Sequence, residues 1–122
     1  MTKPVRSYEV LFTPDARQEV LSLDGSIKKR LKKVLLDKIA VDPSGYGSPL
    51  GGVLSGYWKH EFASHRVIYR IYDAWECVIV CAVGKRLGQH VSDIYERFSP
   101  IVRTGRVLEQ VQIILASLKP KK

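Results

Sequence analysis

The sequence predicts an α+β fold: a strand, a two-helix hairpin, a three-stranded antiparallel meander, and an extra helix at the C-terminal end. One early stretch and one late stretch carry apolar residues at helical spacing. Three short stretches between them are β-branched, aromatic and joined by links of about three residues, which imply antiparallel neighbours. Helices and strands are grouped rather than alternating, which separates α+β from a doubly wound fold. The chain of 122 residues forms one domain with one core, burying about two-thirds of its unfolded surface. Residues 99–122 read as a C-terminal helical extension of it.

Tyr8 to Phe12 reads as the first strand. It stops at Thr13-Pro14-Asp15, where Thr13 suits a helix cap and Pro14 a first helical position, so a helix follows over about Pro14 to Leu23. Asp24-Gly25 ends it, and Ser26 is the expected cap of a second helix. There Ile27, Leu31, Val34, Leu35 and Ile39 make one stripe, while Lys28, Lys29, Lys32 and Lys33 fall on the other side. The Pro- and Gly-rich segment from Asp42 to Gly56 is a loop. Strands are expected over Tyr57 to Phe62, Arg66 to Tyr72 and Glu76 to Val83. The last is apolar on both faces and so central, covered on both sides. A short helical piece near His90 to Phe98 precedes Ser99-Pro100, and a longer helix from about Arg103 to Leu118 carries Val107, Val111, Ile114, Leu115 and Leu118 on one stripe. That stripe is expected to pack on the chain's own sheet or hairpin.

Of the charged residues, 20 are Lys or Arg and 12 Asp or Glu, a formal charge of +8. Basic residues are spread over both halves, so the charge belongs to the fold and favours polyanionic partners, either nucleic acid or an acidic protein. The apolar stretch from Cys77 to Val83 is far short of the ~20 residues of a membrane span, and no apolar run follows Met1, so a cytoplasmic protein with no membrane role is expected. Cys77 and Cys81 stand four apart in one strand, roughly 13 Å, too far to bridge. They read as buried packing residues, and His60, His65 and His90 form no zinc pattern with them, so no metal or cofactor is expected.

Strand alternation puts Lys59 and Glu61 on one face and Trp58, His60 and Phe62 on the other, and gives Arg66 and Arg70 a common face. Lys85-Arg86 leave the end of the central strand. Basic side chains converging on the sheet would hold a phosphodiester, with Tyr57, Tyr69, Tyr72 or Tyr95 available to stack on a base. Alternatively, Arg66 and Arg86 pair with Glu61, Asp73 or Asp93 and do no more. Lys32 and Lys33 are either the solvated side of their helix or a further nucleic-acid contact. His60 reads as packed, while His65 at a tight turn and His90 beyond Gly88 are groove candidates able to titrate near neutral pH.

The run Leu54-Ser-Gly-Tyr-Trp-Lys-His-Glu-Phe-Ala-Ser-His-Arg-Val-Ile-Tyr-Arg-Ile-Tyr-Asp73, with Val80-Cys-Ala-Val-Gly-Lys-Arg86 and then Ile94-Tyr95, resembles the RelE/ParE toxin superfamily over about residues 8–98. The resemblance is closest to the RelE branch and implies the RelE-like small toxin fold. It also implies a type II toxin that cuts messenger RNA in the ribosomal A site without metal, by driving the ribose 2′-hydroxyl onto the adjacent phosphate. Lys59 matches the first lysine of the RelE catalytic strand, placed to stabilise the phosphate or to take the 2′-hydroxyl proton. Arg66 matches the arginine that holds the phosphate, Arg86 the one near the leaving 5′-oxygen, and Tyr95 the tyrosine that stacks on or orients the nucleotide. Lys85, Arg70, His90, Lys32 and Lys33 are then further RNA contacts. The partners implied are a cognate antitoxin protein, with which the toxin forms a hetero-oligomer, and the ribosome with its message.

This sequence departs from RelE at Glu61, which stands where RelE has a second lysine. It is either a general base, as acidic residues are in related toxins, or a counter-ion of Arg66 and Lys59. The turn before Arg66 is shorter than in RelE and the Arg86–Tyr95 segment longer. The ParE branch implies a different activity, inhibition of DNA gyrase by protein binding, and its members generally lack the Lys59, Arg66, Arg86, Tyr95 combination. A basic nucleic-acid-binding domain without catalysis also fits the charge.

Overall fold

The computed structural model describes residues 7–88 and 93–121. Strand β1 (Glu9–Phe12) leads into α1 (Pro14–Leu21) and α2 (Gly25–Val34), which widens into a π-turn over Leu35–Ile39. After a loop come β2 (Ser48–Pro49), a 3₁₀ turn at Gly52–Leu54, and the meander β3 (Trp58–Phe62), β4 (His65–Tyr72) and β5 (Cys77–Lys85). Helices α3 (Ile94–Arg103) and α4 (Arg106–Ala116) close the chain.

The strands form one sheet in the order β1-β5-β4-β3-β2, with β1 parallel to β5 and the other pairs antiparallel. β5 is central as its sequence predicts, and every residue from Cys77 to Gly84 is buried. One face of the sheet packs Phe62, Val67, Tyr69, Val78 and Val80 against Ala16, Leu31, Leu35 and Ile39 of the hairpin. The other packs Ile68, Cys77, Ile79, Cys81 and Ala82 against Ile94, Phe98, Val107 and Val111 of the last two helices. The register slips between Ile68 and Tyr69: Ile68 faces Ala82 and Tyr69 faces Val80, so Cys81 is the extra residue of a bulge.

Local chemistry sets the boundaries. Thr13 caps α1 by accepting the Ala16 N–H at 3.1 Å. Asp24, not Ser26, caps α2: its carboxylate accepts the N–H groups of Ser26 and Ile27 at 3.0 and 3.1 Å, and the Ser26 hydroxyl binds the same oxygen. A carboxylate at that position also favours the positive end of the helix, which explains the preference. The expected break at Ser99-Pro100 does not occur. Pro100 lies inside α3, and the chain turns instead at Gly105, whose φ of 83° is open to glycine. The loop contributes β2, paired to Trp58 and Lys59, and is pinned where the Tyr69 hydroxyl donates to the Pro43 carbonyl at 2.7 Å. Gly47 lies so close to that hydroxyl that a Cβ would stand 1.9 Å from it.

The C-terminal helix packs on its own sheet, as its stripe predicts: Val107 and Val111 are buried, and Ile114, Leu115 and Leu118 lean on the same cluster. Arg106 adds a two-pronged clamp to Asp15 of α1, at 2.7 and 2.8 Å. Both cysteines are free and buried. Among the described residues no helix is long and apolar enough to cross a membrane.

Candidate active site on the sheet face

Phe62, Val67 and Tyr69 point into the hairpin side of the core, so alternation turns Lys59, Glu61, Arg66 and Arg70 to the opposite face. Glu61 and Arg66 are direct partners across β3 and β4. Between them the Glu61 carboxylate takes Lys59 Nζ at 2.6 Å and Arg66 Nε at 3.3 Å, while Arg66 Nη1 donates to the His65 carbonyl at 3.0 Å. The Lys59 hydrogen bond and the Arg66 charge hold the Glu61 carboxyl below its ordinary range. Glu61 is the most exposed of the three, so this is a solvent-facing cluster with two cations to one anion.

Arg86 reaches the same end of the sheet from β5, its N–H bonded to the Ser64 carbonyl in the β3–β4 turn. Its guanidinium donates to the Gly88 carbonyl at 3.0 Å and to Asp93 Oδ1 at 2.8 Å, and it lies 5.2 Å above the centre of the Tyr95 ring. Asp93 is buried and caps α3 through the Tyr95 N–H, and it also accepts the Leu87 N–H. Burial alone would raise the Asp93 pKa, but the Arg86 hydrogen bond and the two backbone donors outweigh it and the net shift is downward. The pairings of Arg66 with Glu61 and Arg86 with Asp93 thus both form, while Asp73 instead accepts the Tyr8 hydroxyl at 2.6 Å.

Several expected contacts lie elsewhere. Arg70 is on the right face, but its guanidinium packs 4.7 Å from the Tyr57 ring and 5.7 Å from the Tyr72 ring and donates to the Tyr72 hydroxyl, so it is a packing cation. Lys32 and Lys33 belong to α2, whose Leu31 packs on the hairpin face, and are therefore on the wrong side of the sheet for this cluster. Lys85 alternates away from Gly84 and pairs in register with His65, lining a cleft beside the cluster with Ser22, Glu19 and Arg97. His65 is not a groove residue: it is buried and stacked on Phe62 at 5.7 Å, and burial, with Lys85 adding, lowers its pKa. His60 is held by the Tyr46 carbonyl at 2.6 Å. Tyr57 and Tyr69 are fully packed and unavailable to a base, which leaves Tyr95, half-buried, and Tyr72, engaged with Arg70. His90 lies outside the described residues. No group of three or more His, Cys, Asp or Glu among the described residues is placed to hold a metal.

Asp93, expected only as a counter-ion, and Arg97, not expected at all, also belong to this neighbourhood. Asp93 carries the signal of a helix cap, three residues ahead of Glu96. Arg97, one turn into α3, has no sequence signal of its own, and its place over the sheet follows only from the packing of Ile94 and Phe98.

Residues 10–89 match the family described as the ParE toxin of type II toxin-antitoxin system, parDE. The chain belongs to the RelE/ParE toxin superfamily. It is 29% identical over 90 residues to Toxin RelG of Mycobacterium tuberculosis, an alignment covering 74% of this chain and 98% of that protein. Among solved structures it resembles the toxin–antitoxin complex RelBE2 from M. tuberculosis, with 28% identity and a TM-score of 0.63 over 66% of this chain and 99% of that one. It also resembles the intact E. coli RelBE toxin–antitoxin complex, with 25% identity and a TM-score of 0.57 over 66% and 99%. As a member of the RelE/ParE superfamily, the chain is a toxin of type II toxin–antitoxin systems. Its Lys59, Glu61, Arg66 and Arg86 fall within the matched residues, whereas Tyr95, Arg97 and α4 lie beyond them.

Proposed function

We propose that this toxin is a messenger-RNA endoribonuclease that acts on the translating ribosome in the cytoplasm and is held inactive in a hetero-oligomer with a cognate antitoxin. The observation that carries the reading is the Lys59–Glu61–Arg66 cluster: a carboxylate able to accept a proton, held between two cations able to hold a phosphate, on an exposed face. Arg86 and Tyr95 stand at the same end.

In this mechanism the 2′-hydroxyl gives its proton to Glu61 as its oxygen forms a bond to phosphorus. The P–O5′ bond breaks, leaving a 2′,3′-cyclic phosphate and, after proton transfer, a 5′-hydroxyl. Arg66 and Lys59 take the phosphate oxygens as charge builds in the transition state, and Arg86 faces the departing oxygen. Tyr95 stacks on a base. The phosphate draws both cations away from Glu61, which relieves what depresses its pKa and makes it a better base in the complex than in the free protein. The formal charge of +8 favours encounter with ribosomal and messenger RNA. An acidic antitoxin covering the same face would compete with it, and the solved RelBE2 and RelBE complexes support such a partner.

The ParE family match favours a second reading, inhibition of DNA gyrase by protein contact. Primer extension on a translated message separates the two, after brief expression of the wild type and of Arg86→Ala. New cuts that need both translation and Arg86 are expected. Intact message in cells whose growth still stops would overturn the nuclease reading and leave a protein target.

A further inference from the structure

The guanidinium of Arg97 lies on the sheet over Gly84. A Cβ at Gly84 would stand 2.3 Å from Arg97 Nη2 and 3.1 Å from the Ile94 side chain, so only glycine lets the arginine down onto the strand. Gly84 is the strand partner of Arg66, which is the strand partner of Glu61. One row across three strands therefore reads Glu61, Arg66, and Gly84 with Arg97 laid over it, with neighbouring backbones about 5 Å apart.

On its far side Arg97 Nη1 is 3.2 Å from Glu19 Oε2, and the other Glu19 oxygen accepts the Val83 N–H at 3.4 Å. β1 pairs with β5 only as far as Val80, so past that point a side chain from α1 holds the open strand edge. Beside it a cleft of about 280 Å³ runs from Arg97 past Gly84 to Lys85 and Ser22. Arg97 keeps 43% of its side chain exposed there. The row of cations thus continues from the candidate active site into a cleft whose walls also include Leu23, His65 and Val83.

We propose that Arg97 is a second phosphate-binding residue, which takes the RNA phosphate next to the scissile one and leads the strand from Arg66 and Arg86 into the cleft lined by Lys85. The proposal rests on the RNA-cleavage reading above. Glu19 is the counter-ion of Arg97 while the subsite is empty, and it stays on the Val83 N–H when phosphate arrives. The competing role is purely structural, a strap between α3 and α1. The two differ in Gly84→Ala: the new methyl meets the flexible end of Arg97 and lifts it from the strand, while the Arg97 charge and the strand backbone remain.

The test uses purified toxin with ribosomes translating a defined message, and separately a fluorescent single-stranded RNA whose 2′-hydroxyls are methylated so that it is bound but not cut. Thermal melting checks that each variant folds. Arg97→Ala and Gly84→Ala are each expected to raise KM about tenfold, the scale of one charged contact, with kcat within about twofold of wild type. Arg97→Lys retains most of the affinity. The log–log salt dependence of binding the methylated RNA should flatten by about 0.7 in Arg97→Ala, one phosphate contact on a single strand. Unchanged KM, Kd and salt slope in both variants, with only the melting temperature lowered, would overturn the subsite and leave the strap. Wild-type protein that neither cuts message nor binds the methylated RNA would overturn the cleavage reading and the subsite together. Wild type that cuts while Arg97→Ala cuts with equal KM would overturn the subsite alone.

Discussion

Asp93 holds Arg86 from beneath: its carboxylate, with 1% of the side chain exposed, lies 2.8 Å from Arg86 Nη1 and also accepts the backbone N–H groups of Leu87 and Tyr95. One buried group thereby fixes the guanidinium, the start of α3 and the ring beneath the guanidinium. Replacing it by alanine leaves the α3 cap unmet, and urea melts of Asp93→Ala should show a loss of about 1–2 kcal/mol. The paired carboxyl has a folded-state pKa below its unfolded value. Its contribution is therefore present above the ordinary aspartate range and disappears as pH falls through the folded pKa. The stability gap between wild type and Asp93→Ala should accordingly be full at neutral pH and close in acid. A gap that stayed constant with pH would show that the charge contributes nothing.

Arg66 and Arg70 share a strand face and differ in what holds them. Arg66 is paired with an exposed carboxylate that phosphate can displace; Arg70 is sandwiched between Tyr57 and Tyr72. Arg66→Ala should abolish message cleavage while the protein melts near the wild-type temperature. Arg70→Ala should cost about 1–2 kcal/mol of stability through lost cation–π and stem packing with kcat preserved. Equal loss of cleavage in two well-folded variants would place Arg70 in the site.

Much of this was legible in the residues themselves. The β5 run reads as central because it is apolar at every position, and Thr13-Pro14 marks the start of α1 whatever the rest of the chain does. Lys59 and Glu61 share a face by alternation alone, and a short link leads to Arg66; that Arg66 lies directly opposite Glu61 follows from the two-residue Ala63-Ser64 turn seen in the structure. What depends on long-range packing was not legible. The burial of Tyr57 beneath Arg70 and the descent of Arg97 onto Gly84 both require knowing which helix covers which face. The continuation of α3 through Pro100 is of the same kind: Ile94 and Phe98 bury against the sheet on the preceding turns, and that packing outweighs the missing N–H.

Cys77 and Cys81 flank Ile79 on the face that α3 and α4 cover. Burial raises both thiols, Cys81 to about 12, so neither presents thiolate near neutral pH. Iodoacetamide at pH 8 should leave both unmodified in the folded toxin and label both within minutes in denaturant. Rapid labelling of folded protein would mean that the two helices leave the sheet without global unfolding.

In the proposed cleavage mechanism Glu61 is the residue on which the chemistry turns, because its two cations would give it opposite duties in the free and the bound protein. In the free protein Lys59 and Arg66 keep it ionised and weakly basic; with phosphate on those cations it becomes the proton acceptor. Glu61→Gln keeps the shape and removes both the charge and the base. It should bind methylated RNA at least as tightly as wild type, since one anion has left the face, yet cut message about 10²–10⁴-fold more slowly. The pH profile supplies the sign. Wild-type kcat should fall as pH drops through the Glu61 pKa of the complex, because protonated Glu61 cannot accept the 2′-proton, and that acid limb should vanish in Glu61→Gln. A variant that cuts at the wild-type rate would leave Lys59 as the base and reduce Glu61 to a counter-ion. In that case Lys59→Met would lose cleavage while Glu61→Gln kept it.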